Sequence, residues 1–313
     1  MIEIIAYGGL GLIVGSFLNV VTFRWGTGRS IIGVGRPASS PKAALKARVD
    51  SRVSNGKKEI KYPNFVPNAH RAATPFFSAG SACMMCGREI FWYDLIPVLS
   101  WIYLRGRCRF CGSRISLQYP FVELMTALLF VTTGFSPLPT LFKLIGLAIV
   151  SILLAIAVYD LRHTIIPDSW VWTFNLLAFL FPLLASNYSL FAVLAGPFTA
   201  LPLFILWAIS RGKWMGFGDV KLALGIGWLL GAGSGIVAVF LAFIIGAVVG
   251  LMLIFFSSEL WRKIVWFTPT PTSQKLMWGF TMKSEVPFGP FLIMSCLIVW
   301  LAQMHGIPIP LPV

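Results

Sequence analysis

Two short stretches of this chain place carboxylates beside hydrocarbon. Asp219 stands in GFGDVKL (216–222), between two long apolar runs, with Gly216 and Gly218 next to it. Asp160 stands in YDLRHTIIPD (159–168), at the end of another apolar run. An acid in such a place is costly and tends to be kept for a purpose, and the two glycines let another group approach the backbone closely. Structural uses compete with that reading. Asp219 can cap the helix that follows it, and Asp160 can pair with Arg162 or Lys221. Asp168 follows the helix-breaking Ile165, Ile166 and Pro167, and it reads as an N-cap at least as well as a functional acid. Asp160 has no capping role, because a carboxylate at a helix C-terminus opposes the dipole. Together Asp160 and Asp219 suggest an aspartyl pair. Two carboxylates held close at a partly desolvated site cannot both ionise easily, so one keeps a proton and the other acts as base. The base takes a proton from water, and the water attacks a peptide carbonyl polarised by the protonated partner.

A second constellation is sulfur. Cys83, Cys86, Cys108 and Cys111 form two CxxC pairs, each followed by glycine. Such a knuckle turns both sulfurs toward one ion, and two knuckles complete a tetrahedral site, with zinc as the expected metal. The intervening residues, 87–107, are long enough for a short hairpin. Four protein ligands leave no open coordination position, so the metal's role is expected to be structural. Cys296 lies alone in an apolar run and reads as a small buried residue. His70, His163 and His305 do not cluster in sequence. No HExxH, GxSxG or phosphate-loop pattern is present, which weakens zincin, serine-hydrolase and nucleotide-driven readings.

The elements that must position these groups follow from composition. Of 313 residues, 57% are hydrophobic and 12% charged, which points to a multi-span membrane protein. Apolar runs fall at about 3–23, 121–137, 140–160, 169–187, 189–210, 219–233, 235–257 and 286–304. The fold class expected is therefore an all-α polytopic membrane protein of about eight transmembrane helices. The run 219–233 is short, and the break at Gly231–Gly235 reads either as a turn between two spans or as a flexible point in one helix. The first run is read as a retained helix, 1–23, rather than a removed signal. The seven remaining spans form a membrane core at 121–313. Between them lies a basic loop, 24–120, with a zinc-ribbon-like knuckle at 83–112. That loop holds sixteen of the 25 Lys and Arg residues, so the positive-inside rule makes it cytoplasmic. Alternation then puts Asp160 and Asp219 at the same, cytoplasmic, membrane surface. The stretch 26–80 reads as a loosely packed basic insert whose favoured contact is anionic lipid rather than nucleic acid.

Seven motifs, in order, resemble the type IV prepilin leader peptidases, membrane aspartic proteases that are often also N-methyltransferases. They are GLIVGSFLNVVTFR (11–24), the double CxxC, LIPVLSW (95–101), LRGRCRFCG (104–112), YPFVELMTALLF (119–130), YDLRHTIIPD and GFGDVKL. GFGD matches the family's GxGD signature at Asp219, and Asp160 matches its other catalytic aspartate. The resemblance implies cleavage of the basic leader of prepilins or pseudopilins after a glycine, at the cytoplasmic face of a bacterial inner membrane. It also implies methylation of the new N-terminus from S-adenosylmethionine, since the retained double CxxC looks like the bifunctional type. TFRWGTG after NVV departs from the family's pattern, as does the insert 26–80, and both lie near the methyltransferase region. Asn19, Arg24 and Glu123 are polar groups at span ends, where interfacial anchoring is the simpler use. Substrate contact is expected from Gly216, Gly218, Asp168 and Lys221. The leader and the loop are both basic, so the leader should be read near the acids, and the loop should meet lipid phosphate and the methyl donor's carboxylate. The alternatives are a peptidase without methylation, or a transporter or zinc-ribbon scaffold whose acids relay protons or cap helices.

Overall fold

The structure, a computed structural model, describes residues 2–25, 83, 85–86, 88–185, 190–257 and 287–307. The insert 26–80, His70 and the connection 258–285 lie outside the described residues, and so does the side chain of Arg24.

Among the described residues the regular elements are helices. In chain order the α-helices are α1 (Ile2–Trp25), α2 (Leu99–Tyr103), α3 (Gln118–Gly134), α4 (Thr140–His163), α5 (Asp168–Leu184), α6 (Leu190–Ser210), α7 (Phe217–Leu230), α8 (Ala232–Ser257) and α9 (Gly289–Met304). Four of them, α1, α4, α6 and α8, are long and apolar enough to cross a membrane. The 17 residues of α5 and the 16 of α9 make shorter apolar helices. The break near 231–235 is a junction between two helices, with Gly231 at φ 82° ending α7. In α4 the helix extends past the expected boundary at 160, through Arg162 and His163.

Lipid is as apolar as leucine, so helices in it associate through close packing rather than through escape from solvent. The α1–α3 pair shows how. A Cβ on Gly11 would lie 2.6 Å from Ala127 Cα, and one on Gly15 would lie 2.8 Å from Glu123 Cα. Only bare backbone lets these helices come so near. In the rest of the bundle α4 is the most enclosed of the four long helices, 44% of its span being buried, and α8 is the least, at 17%. Ile149, Val150, Leu153 and Ile156 of α4 are fully enclosed, as are Leu222, Ala223 and Ile226 of α7. Helix α7 touches α5, α6, α8 and α9, while α4 touches α1, α3, α5 and α9. Both helices that carry the acids are thus packed on several sides.

The segment between the cysteine pairs is not the expected hairpin. Trp92–Leu95 forms a 3-10 turn and Leu99–Tyr103 a short helix, and an isolated antiparallel bridge joins Arg107 to Arg114. Two causes are local. Pro97 has no N–H for a strand ladder, and the Val98 N–H is taken at 2.8 Å by Glu123 Oε2 of α3. The zinc-ribbon-like expectation is therefore corrected to two knuckles joined by helical turns. Asp94 locks this connection to the second knuckle by receiving both Arg109 Nε at 2.9 Å and Arg109 Nη2 at 2.6 Å.

Candidate active site and four-cysteine cluster

Asp160 sits in the last turns of α4, and its carbonyl accepts the Thr164 N–H at 2.8 Å where the helix ends. Thr164, at φ 53°, turns the chain into Ile165, Ile166 and Pro167. The helix α5 then begins at Asp168 with Pro167 as its cap residue, so the reading of Asp168 as an N-cap is corrected. Proline's fixed φ and missing N–H suit it to a helix boundary. The Asp168 carboxylate instead accepts Lys221 Nζ of α7 at 2.7 Å.

Asp219 is the third residue of α7, after the cap residue Gly216. Its side chain lies toward the Gly216 backbone, where an acid at this position can act in a capping box. Oδ1 is buried and has no hydrogen-bond partner among the described residues. A capping use therefore accounts for at most one oxygen of Asp219.

The two acids meet. Asp160 is 4% exposed and Asp219 6%, and their charges lie close enough to interact directly. Neither cation suggested for Asp160 pairs with it: Lys221 binds Asp168, and Arg162 Nε donates to Gln118 Oε1 at 2.9 Å. Desolvating an ion costs on the order of several kcal/mol unless a partner compensates. Two neighbouring carboxyl groups without a cation are therefore suited to sharing a proton.

Ile166 packs against the glycines beside the two acids. A Cβ on Gly218 would lie 3.1 Å from Ile166 Cβ, and one on Gly289 would lie 3.1 Å from Ile166 Cδ1. The close approach that Gly218 permits is thus made by the chain's own IIPD loop. Gly216 is not crowded, the nearest atoms to a Cβ there being 3.9 Å away. Gly289 was not among the residues expected from sequence. Its only signal there is the FGPF stretch (288–291), whose proline marks a helix start. The histidines lie elsewhere: the His163 ring stacks on Tyr159 at 4.4 Å, and His305 Nε2 meets the Thr132 carbonyl at 3.1 Å.

Cys83, Cys86, Cys108 and Cys111 converge, with all four sulfurs within 4.8 Å of one another. Cys83 and Cys111 are 3.8 Å apart, close to the edge of about 3.8 Å that a tetrahedron with metal–sulfur bonds of about 2.3 Å requires. The four are free thiols. The Cys86 backbone N–H holds the Cys83 thiol down at about 6. Cys86 receives the Arg88 N–H, yet desolvation and its thiol neighbours push it up to about 11. A site where one sulfur gives up its proton easily and another keeps it is crowded with potential negative charge, which a dication relieves. The four cysteines can thus hold a metal. Cys296, in α9, is fully buried.

Two family models match the chain. One, the bacterial peptidase A24 N-terminal domain, covers residues 10–136, and the other, the type IV leader peptidase family, covers 147–251. A curated relative from Pectobacterium carotovorum subsp. carotovorum, a prepilin leader peptidase/N-methyltransferase, is 32% identical over 72% of this chain and 74% of its own length. The chain belongs to the type IV leader peptidase family. Relatives of the same name from Dickeya chrysanthemi and Aeromonas salmonicida (strain A449) are 33% and 31% identical, over 71% and 70% of this chain and 72% and 70% of their own lengths. No solved structure matches this family member.

Proposed function

We propose that this chain cleaves the basic leader from prepilins or pseudopilins and methylates the amine so exposed. The observation that carries the cleavage is the approach of Asp160 and Asp219, buried on separate helices, neither paired with a cation among the described residues. A water held between the two acids loses a proton to the ionised one as its oxygen bonds to the scissile carbonyl carbon. The protonated acid donates to the carbonyl oxygen. Collapse breaks the C–N bond, and the departing nitrogen takes a proton from the dyad, leaving a carboxylate on the leader and a free amine on the pilin.

The eight-span arrangement, with both acids at the cytoplasmic surface of the inner membrane, is supported by the basic loop 24–120 and by the location of both acids at helix ends. The division into a first helix, a cytoplasmic loop and a membrane peptidase core fits the clustering of the acids in 121–313. Asp168, 66% exposed at its side chain and paired with Lys221, offers a carboxylate to the leader's basic residues. Zinc suits four converging thiolates and would hold the two knuckles together with no open position for catalysis. The methyl donor, S-adenosylmethionine, supplies a sulfonium methyl group. Asn19, whose buried Oδ1 has no partner among the described residues, and the buried Glu123 are groups of the α1–α3 pair with chemistry suited to holding its polar and cationic parts.

Co-expression with a prepilin followed by mass analysis of the pilin N-terminus tests both activities together. Wild type should yield the processed, methylated terminus. Asp160→Asn and Asp219→Asn should each leave the leader attached while the protein accumulates normally in the membrane. Cleavage by either variant would remove that residue from the mechanism, and a cleaved but unmethylated product would reduce the function to peptidase alone.

A further inference from the structure

The start of α9 supplies more than a packing surface. A helix leaves its first N–H groups without intrahelical partners, and the first turn of α9 shows where some of them go. Phe291 and Leu292 direct theirs to the Phe288 carbonyl at 3.1 and 3.2 Å. Pro290 has none. The Gly289 backbone lies against the Asp160 carboxylate. The contact is made at close quarters: a Cβ on Gly289 would sit 2.5 Å from Asp160 Oδ2 and 3.4 Å from its Cγ. The turn is held from behind, where the Phe288 ring packs on Phe243 of α8 with centroids 4.8 Å apart. Asp219 Oδ1, by contrast, has no hydrogen-bond partner among the described residues.

We propose that Gly289 is a positioning residue for leader cleavage: its missing side chain leaves the space in which the Asp160 carboxylate stands to work with Asp219. Glycine is required because any side chain would occupy the position of Asp160 Oδ2. The inference rests on the cleavage reading given above.

Gly289→Ala tests it, since alanine ordinarily favours a helix and the clash with Asp160 is the change of interest. With purified enzyme and a prepilin peptide, kcat for cleavage should fall on the order of 100-fold, the scale of a reacting group misplaced by about an ångström. KM should move by less than about threefold, as expected when an interaction confined to the transition state is lost. Methylation of a pre-cleaved pilin peptide should stay near wild type, which reports a folded protein. The double variant Gly289→Ala/Ile166→Val, which removes the Cδ1 that also crowds the site, should not recover cleavage. Recovery there, or parallel loss of both activities in both variants, would mean a packing role and overturn the proposal, as would wild-type kcat in Gly289→Ala. Asp160→Asn and Asp219→Asn serve as controls. If they cleave, the dyad reading itself fails; if they are inert while Gly289→Ala is active, only the role of Gly289 is lost.

Discussion

Asp160 and Asp168 stand eight residues apart on either side of one turn, and their surroundings could hardly differ more. Asp160 is buried with another acid beside it; Asp168 has 66% of its side chain exposed and holds Lys221 Nζ at 2.7 Å. An exposed ion pair of that kind is worth about 0–1 kcal/mol. Asp168→Asn should therefore leave thermal stability in detergent essentially unchanged. If Asp168 meets the leader's cationic residues, the same variant should raise KM for a Lys- or Arg-bearing prepilin severalfold with kcat nearly intact, and the rise should shrink in high salt. Steady-state kinetics at two salt concentrations check it, and an unchanged KM would confine Asp168 to its partnership with Lys221.

At the scale of elements, glycine decides which helices touch. In α1, a Cβ on Gly15 would lie 2.8 Å from Glu123 Cα, whereas one on Gly9 would meet nothing within 4 Å. Gly15→Leu should push α1 off α3 at a cost of about 1–3 kcal/mol or more, while Gly9→Leu, six residues away, should be silent. Membrane yield and melting temperature of the two variants compare them directly. The seam also shows how far sequence alone reaches. The GxGD and YD stretches, the four cysteines and the helical character were all legible, because each rests on residue type and local spacing. The helical turns between the knuckles were not, because they depend on Glu123 of α3 taking the Val98 N–H from 25 residues away. The pairing of Lys221 with Asp168 joins groups 53 residues apart. Gly289 stayed hidden for the same reason: its meaning lies in Asp160, on another helix, and nothing in FGPF by itself names that partner.

For the molecule as a whole, the cysteine cluster and the aspartyl pair belong to different parts of the chain. Glu123 ties the knuckle region to α3, and Arg109 with Asp94 ties its two halves together. A metal binds thiolates, so its affinity follows their protonation. The Cys83 thiol, held down at about 6, parts with its proton more readily than Cys86, pushed up to about 11. Loading at neutral pH should therefore release protons, and acidification should release the metal as protons return to the sulfurs. Elemental analysis of protein dialysed from neutral to acidic pH should show about one zinc per chain at neutral pH and a decline toward acid. Treatment with a chelator at neutral pH should remove the same ion and depress methylation severalfold more than cleavage, because the acids do not touch the cluster. Equal loss of both activities on removal of the metal would show that the knuckles brace the peptidase helices as well, and a metal content indifferent to acid would mean that the four sulfurs are not its ligands.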